Sequence, residues 1–323
     1  CRWSDDIHFA RALGCARIPE REGACMYKRM LVLLDGSELS EVVFKYAQVL
    51  SGRLGMDLEL LHVASPSEAD QMPMRRVYIE HMAATLCAGA EEIRAAAGAE
   101  ALGECILARG TVAVGDPADE ILKHLHDDDI DLVMMATRGR SGFIGSGLGG
   151  VANKVVHASH VPVWLVPAEL KQEIVTDTLP KRTLVIPLSG GKMAEAAIPH
   201  GLSVAAQRGA DTEFVLLHVV EQQTISFTAA SIEENEEKRK KALDYLEEPA
   251  QRIREAGYEV RKEVLVGQPA ETIIDYVKNN PPQLLAMATR GKRGFSKMIF
   301  GSVTEHVIQL IKRTPMLLVS AED

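Results

Sequence analysis

Two short segments of this chain have the residue types of an anion cradle. Met135-Ala136-Thr137-Arg138-Gly139 opens a loop that ends at Gly149-Gly150-Val151. The same pentapeptide returns 152 residues later as Met287-Ala288-Thr289-Arg290-Gly291, and its loop ends at Gly301-Ser302-Val303. In both copies nine residues separate the Gly after Arg from the Gly that ends the loop, Gly149 or Gly301. Glycines let backbone N–H groups come close to an anion, and a helix starting at the end of the loop adds its positive N-terminal end. Ser302 supplies a hydroxyl donor, and Arg138 and Arg290 supply charge. Phosphate is the anion that suits this chemistry. A carboxylate, Asp35, follows the apolar run Met30–Leu34 in Leu34-Asp35-Gly36-Ser37. It is a poor phosphate ligand, but it suits a ribose hydroxyl or a base amino group, as acidic residues do in dinucleotide sites. The second copy has Leu188-Ser189-Gly190-Gly191 at this point, with Ser189 in place of the carboxylate.

These residues need a frame that brings them to one edge. Short apolar runs at 30–34, 58–63, 105–107, 132–136 and 162–166 read as buried strands. Helical patterns fill 39–53, 72–97, 117–126 and 150–159, with Asp116 as a cap and Pro117 in the first turn. The order recurs in the second half. Strands are expected at 184–188, 214–219, 260–266, 284–288 and 316–319. Helices are expected at 192–208, 229–256, from Pro269, and 302–311. Leu60-Leu61-His62-Val63 matches Leu216-Leu217-His218-Val219, and Gly115-Asp116-Pro117-Ala118 matches Gly267-Gln268-Pro269-Ala270. Alternating strands and helices give a doubly wound parallel sheet covered on both faces, here twice. Ligands of such sheets bind beyond the carboxyl ends of the strands, where strand order reverses. The end of strand one, the end of strand two and the Gly loop all fall there.

The chain has 323 residues, 46% hydrophobic and 25% charged, which fits two globular domains. A net charge of −9 argues against a broad nucleic-acid footprint and against docking to anionic lipid. No apolar run reaches the roughly 20 residues of a membrane helix. The five cysteines (Cys1, Cys15, Cys25, Cys87, Cys105) are odd in number and include no CxxC, so free thiols in the cytoplasm are expected. Residues 1–25 read as an extension outside the fold. Two domains are then expected at 26–168 and 182–323, joined by a polar linker at 169–181.

Taken together, Leu33-Leu34-Asp35-Gly36-Ser37, Leu61-His62-Val63 and the two Gly loops resemble the universal stress protein family in its tandem form, over about residues 28–320. The resemblance implies two repeated, doubly wound, five-stranded parallel α/β sheets of the adenine nucleotide α-hydrolase-like type. Nucleotide-binding members carry G-x2-G-x9-G-(S/T). The first Gly is Ala136 and Ala288 here, the second Gly139 and Gly291, the third Gly149 and Gly301, and the last position is Gly150 and Ser302. By that likeness Asp35 and Val63 contact the nucleoside, with Val219 the counterpart of Val63, and the loops through Gly149-Gly150-Val151 and Gly301-Ser302-Val303 hold the phosphates. The implied ligand is ATP, AMP or ADP, with Mg2+ accompanying the phosphates. Neither half has the full set, and the one with the carboxylate ranks as the better ATP site. The resemblance also implies a stress-response protein with at most slow ATP hydrolysis, whose halves pair through 162–166 and 315–319, with room for a homodimer and a protein partner.

Other readings stand beside this one. The alternative is an interaction module of the same family that binds no nucleotide. An amide-forming ligase would use S-G-G-x-D-S after strand one; Ser189-Gly190-Gly191 starts that way, but Met193 and Ala194 replace the Asp and Ser. His62 and His218 read as structural, Asp127-Asp128-Asp129 as a solvated turn, and Glu233–Lys241 as an exposed helix with offset charge pairs.

Overall fold

The alternation of strands and helices is realised in a computed structural model that describes residues 26–96, 106–127, 129–138, 147–167, 169–179, 181–208, 211–221, 229–292, 295–299 and 301–321. The expected extension at 1–25, Cys105, Asp128 and Gly139 lie outside the described residues. The first half runs β1 (Arg29–Leu33), α1 (Glu38–Leu54), β2 (Asp57–Ala64), α2 (Met72–Ala96), β3 (Ala108–Val114), α3 (Pro117–Asp127), β4 (Leu132–Ala136), α4 (Gly150–Ala158) and β5 (Val163–Val166). After a short helix α5 (Gln172–Val175), the second half runs β6 (Arg182–Pro187), α6 (Lys192–Glu195), α7 (Ala197–Arg208), β7 (Thr212–Glu221), α8 (Ala229–Tyr245), α9 (Glu247–Glu255) and β8 (Glu259–Gly267). It ends with α10 (Pro269–Asn279), β9 (Leu284–Lys292), β10 (Phe295–Ile299), α11 (Ser302–Leu310) and β11 (Met316–Ala321).

The strands form one sheet in the order β3-β2-β1-β4-β5-β11-β9-β6-β7-β8, with β10 attached to β9. All pairs within each half are parallel except β9–β10. The halves meet where β5 and β11 pair antiparallel, Leu317 opposite Trp164 and Leu318 opposite Val163. These are the two terminal strands expected to make that contact. Burial on both faces explains why the central strands are almost wholly apolar. One core holds Trp164 and Phe214, and the other holds Leu31, Val133 and Leu285. Strand order reverses between β1 and β4, and again between β6 and β9, so each half has a crevice at that point.

Several elements differ from the sequence reading. The third strand is Ala108–Val114, not 105–107, and it sits at the sheet edge, half-buried from Ala108 to Ala113 and exposed at Val114. An edge strand needs no continuous apolar run, so its sequence does not announce it. The strand expected at 284–288 continues to Lys292 and turns back as β10. The helices expected at 192–208 and 229–256 are each interrupted, at Ala196 and Leu246. Each break lies three residues before a proline, Pro199 or Pro249, which removes an N–H to the carbonyl four residues back and crowds it.

The segment expected to be a polar linker contains buried Ile174 and Val175. Its Asp177 has φ 54° and is buried. Arg182 donates to it at 3.1 Å, Gln283 at 3.0 Å, and Arg53 of the first half lies 3.5 Å away. One carboxylate thus ties α1 to the start of β6. Tyr27, just before β1, reaches α7 of the second half, its hydroxyl 2.6 Å from His200 Nδ1. Burial pushes the Tyr27 hydroxyl pKa well up and the His200 imidazole down to about 4, so both groups are neutral near pH 7.

Candidate functional site

The two crevices share a backbone design. In the first half Leu34 N–H donates to Leu61 at 3.0 Å, and His62 Nδ1 lies 2.9 Å from the Leu34 carbonyl. In the second half Leu188 N–H donates to Leu217 at 2.8 Å, and His218 Nδ1 lies 2.8 Å from the Leu188 carbonyl. Each histidine therefore pins the end of the first strand to the second, the structural role its position suggested. The chain then turns through a left-handed glycine, Gly36 at φ 75° and Gly190 at φ 91°. A side chain would be strained there whatever the space around it.

The outer partners of the two histidines differ. Arg75 Nη1 lies 2.6 Å from His62 Nε2 and can only donate, so Nε2 accepts and Nδ1 carries the proton to Leu34. The same guanidinium donates to Glu68 at 2.6 Å, and Glu68 in turn accepts from the Ser65 N–H and hydroxyl. In the second half His218 faces the ring of Tyr245, 6.0 Å between centroids, and Tyr245 donates to buried Glu195. Burial lowers the His218 pKa despite the Leu188 carbonyl, which favours the charged form.

Asp35 stands at the mouth of the first crevice. Its Oδ1 accepts from the Ser37 N–H at 3.0 Å and the Ser37 hydroxyl at 2.6 Å, so the carboxylate is held in place. It shares a cavity of about 370 Å³ with Val63, Met135, Ala136, Arg138 and the start of α4. Gly149 caps α4 with no side-chain bond, and its own N–H donates to the Thr137 carbonyl at 2.9 Å. The first-turn N–H groups of Gly150 and Val151 lack intrahelical acceptors, and both residues lie on the cavity wall. A Cβ on Gly150 would meet nothing within 4 Å. Arg138 Nε donates to the Gly147 carbonyl at 3.4 Å.

The floor of this cavity is braced from below. Pro117 and Ile121 of α3 line it, and His124 of α3 lies 2.7 Å from buried Glu59 on β2. Burial would push the Glu59 carboxyl up. Hydrogen bonds and charge from His124 and Arg109 outweigh burial and hold its pKa below the ordinary value.

The second crevice is larger, about 830 Å³. Ser189, Val219, Ala288, Gly301, Ser302 and Val303 line it, as the duplication requires. Gly301 caps α11, again with no side-chain bond. Lys238, Lys241 and Tyr245 of α8 also line it, and no sequence pattern assigned them to a site. Ser65 and Glu68 line the first cavity, held by Arg75 behind them, and likewise carry no sequence pattern that marks a site.

A model of the universal stress protein family matches residues 26–167 and again residues 181–320. The chain belongs to the universal stress protein family. The tandem arrangement is in those two matches. Universal stress protein YxiE of Bacillus subtilis is 28% identical over 147 residues, 44% of this chain and 99% of the relative. A longer relative, universal stress protein Slr1230 of Synechocystis, is 22% identical over 302 residues, 87% of this chain and 96% of its own. Among solved structures, a universal stress protein from Archaeoglobus fulgidus superposes with a TM-score of 0.59 at 24% identity, covering 91% of this chain and 98% of that one. That likeness supports the fold.

Within this universal stress protein, most expected residues of the first site come together. Asp35, Val63, Met135, Ala136, Arg138, Gly149, Gly150 and Val151 share one cavity. Thr137 does not line it. It is buried, and its N–H donates to Val166 at 2.9 Å. In the second half Arg290 and Gly291 continue strand β9, and their side-chain surroundings lie outside the described residues. Among the described residues no group of His, Cys, Asp or Glu is arranged to hold a metal, and no helix is long and apolar enough to cross a membrane.

Proposed function

We propose that the first crevice binds an adenine nucleotide, ATP or its products ADP and AMP, and that the chain acts as a nucleotide-responsive regulatory or protective protein in the stress response. The observation that carries this is one cavity holding both a fixed carboxylate, Asp35, and the uncapped start of α4. Asp35 accepts from ribose hydroxyls, and Val63 packs on the nucleoside. The N–H groups at Gly150 and Val151 take phosphate oxygens beside Gly149, whose own N–H is held by Thr137, with Arg138 adding charge and Mg2+ accompanying a triphosphate. The open space at Gly150 lets phosphate approach the backbone closely. Residues 26–168 and 182–323 act as the two domains around the segment 169–181.

Dedicated catalysis is not part of this reading. The obvious base in the crevice, His62, has both ring nitrogens engaged, by the Leu34 carbonyl and by Arg75. It is not placed to activate water, so hydrolysis is expected to be slow. Nucleotide would instead favour one conformation over another.

Native mass spectrometry of undialysed protein, followed by ATP titration of wild type and Asp35→Ala, tests the site. One adenine nucleotide per chain, weakened ten- to hundredfold in the variant, is expected from loss of a charge-assisted bond worth about 1.5–3 kcal/mol. No nucleotide, and no thermal shift with added ATP, would move the assignment to an interaction module. The exposed stripe Met74, Val77 and Tyr78 on α2 favours that second reading.

A further inference from the structure

We infer that the second crevice is built for an adenine nucleotide whose ribose carries a phosphate, at the 2′ or 3′ position. This rests on the proposal that the Gly-loop crevices take adenine nucleotides, and it assigns the two crevices different members of that class. Three observations support it. The residue at the ribose position is Ser189 instead of a carboxylate. The cavity is more than twice as large, about 830 against about 370 Å³. Two cations, Lys238 and Lys241, stand on its wall.

The lysines are placed by a continuous chain of contacts. His218 holds the Leu188 carbonyl, one residue before Ser189, and its ring meets Tyr245. Lys241 and Lys238 lie four and seven residues before Tyr245 on α8, so all three project from one helix face. The ammonium groups therefore stand one and two turns beyond the contact that fixes the ribose position. They pair at present with Glu234 at 2.6 Å and Glu237 at 2.7 Å along the same helix, with Lys238 38% and Lys241 72% exposed. Such solvent-exposed pairs contribute little, and a phosphate dianion in the cavity is a stronger partner.

The exchange of an acidic residue for a neutral one with cations nearby is how dinucleotide sites change from a free ribose hydroxyl to a phosphorylated one. The first crevice discriminates the other way. Its α2 contributes no residue to the wall, and Asp35 at the ribose position presents a carboxylate that repels a ribose phosphate; Glu68 beside it is paired with Arg75.

Calorimetric titration of the full chain with AMP, adenosine 2′,5′-bisphosphate and adenosine 3′,5′-bisphosphate tests this, using Asp35→Ala to silence the first crevice. In that variant one bisphosphate should bind with one equivalent, at least tenfold tighter than AMP. The better isomer identifies the hydroxyl that carries the phosphate. Adding Lys238→Gln and Lys241→Gln should remove the preference, with the circular dichroism spectrum unchanged. The lysine changes alone should leave AMP binding in the first crevice intact. Equal affinity for AMP and both bisphosphates in Asp35→Ala would overturn the inference, as would a preference that survives the lysine changes or is lost with Asp35. If AMP and ATP bind nowhere but a bisphosphate binds in a lysine-dependent way, the first-crevice proposal falls and this one stands.

Discussion

The two crevices are made from one backbone and differ in their walls. Both have the histidine-to-carbonyl bond, the left-handed glycine and a helix capped by glycine alone. One then lines its mouth with Asp35 and with Glu68, which Arg75 pairs, and the other with Ser189, Glu221 and two lysines. The shared features are those that hold the sheet end in shape, and the features that differ face the cavity. A duplicated fold can therefore keep the same crevice backbone twice while the walls of each copy diverge.

That comparison assumes the crevices work separately, and the largest expected effect tests it. Asp177 is the carboxylate that ties Arg53 of the first half to Arg182 and Gln283 of the second. Removing one partner from a buried ion pair leaves the other uncompensated, which costs about 3–5 kcal/mol. Arg182 keeps Asp211 as a second partner, so Asp177→Ala should lower stability by about 3 kcal/mol in urea unfolding. ATP affinity measured by calorimetry should stay within twofold, because neither cavity includes Asp177. A parallel loss of affinity would show that the crevices are coupled through the joint.

Next in size is a pH effect at the same joint. His200 is held neutral beside Tyr27, with its pKa lowered to about 4 by burial. A histidine whose folded pKa is depressed contributes stability that is full above its unfolded value near 6.5 and is lost as pH falls toward 4. With the site partly open to solvent, the loss should be about 2 kcal/mol between pH 7 and pH 4.5. Urea midpoints of wild type and His200→Gln across that range check this: the variant should show the flatter slope. Equal slopes would mean that the Tyr27–His200 contact does not report on the joint.

A smaller effect sharpens the contrast of walls directly. Ser189→Asp places a carboxylate where the first crevice has one. It should strengthen AMP binding in the second crevice by about tenfold, near 1.4 kcal/mol, through a charge-assisted bond to ribose. It should also abolish any preference for a ribose-phosphorylated ligand. Titrations in an Asp35→Ala background read both changes. Unchanged AMP affinity would show that the residue after the first strand does not face ribose in this half.

Much of this was legible in the residues, and the remainder has identifiable causes. The apolar runs within β1, β4, β6 and β9 announce these strands because they are buried on both faces, and the pentapeptide repeat supplies wall residues to both crevices. The edge strand β3 was misplaced because Arg109, Gly110 and Thr111 carry no apolar period, and only the β2 ladder makes them a strand. Asp177 looked like one polar residue in a polar linker, since its burial depends on Arg53 more than a hundred positions earlier in the chain. Lys238 and Lys241 form the charge pairs along the helix that their spacing predicts. The same pairs disguised their place on a cavity wall, because helical spacing gives the face of a helix but not what that face looks onto.

The finest test concerns the one cradle position where the first crevice departs from the second. Gly150 stands where the second half has Ser302, and each begins the helix after its capping glycine. A Cβ at Gly150 would meet nothing within 4 Å, and the backbone there is helical, so serine fits without strain. Its hydroxyl would add one donor to the phosphate cradle, and serine in place of glycine also reduces the freedom of the unfolded chain. A hydrogen bond to a charged group is worth about 1.5 kcal/mol at the low end, less the cost of ordering the side chain, so Gly150→Ser should tighten ATP by about fivefold. AMP should gain less than ATP if the hydroxyl meets the outer phosphates, and equally if it meets the phosphate next to ribose. If neither nucleotide binds more tightly, the start of α4 is not where phosphate sits, and the likeness between the two crevices ends at the backbone.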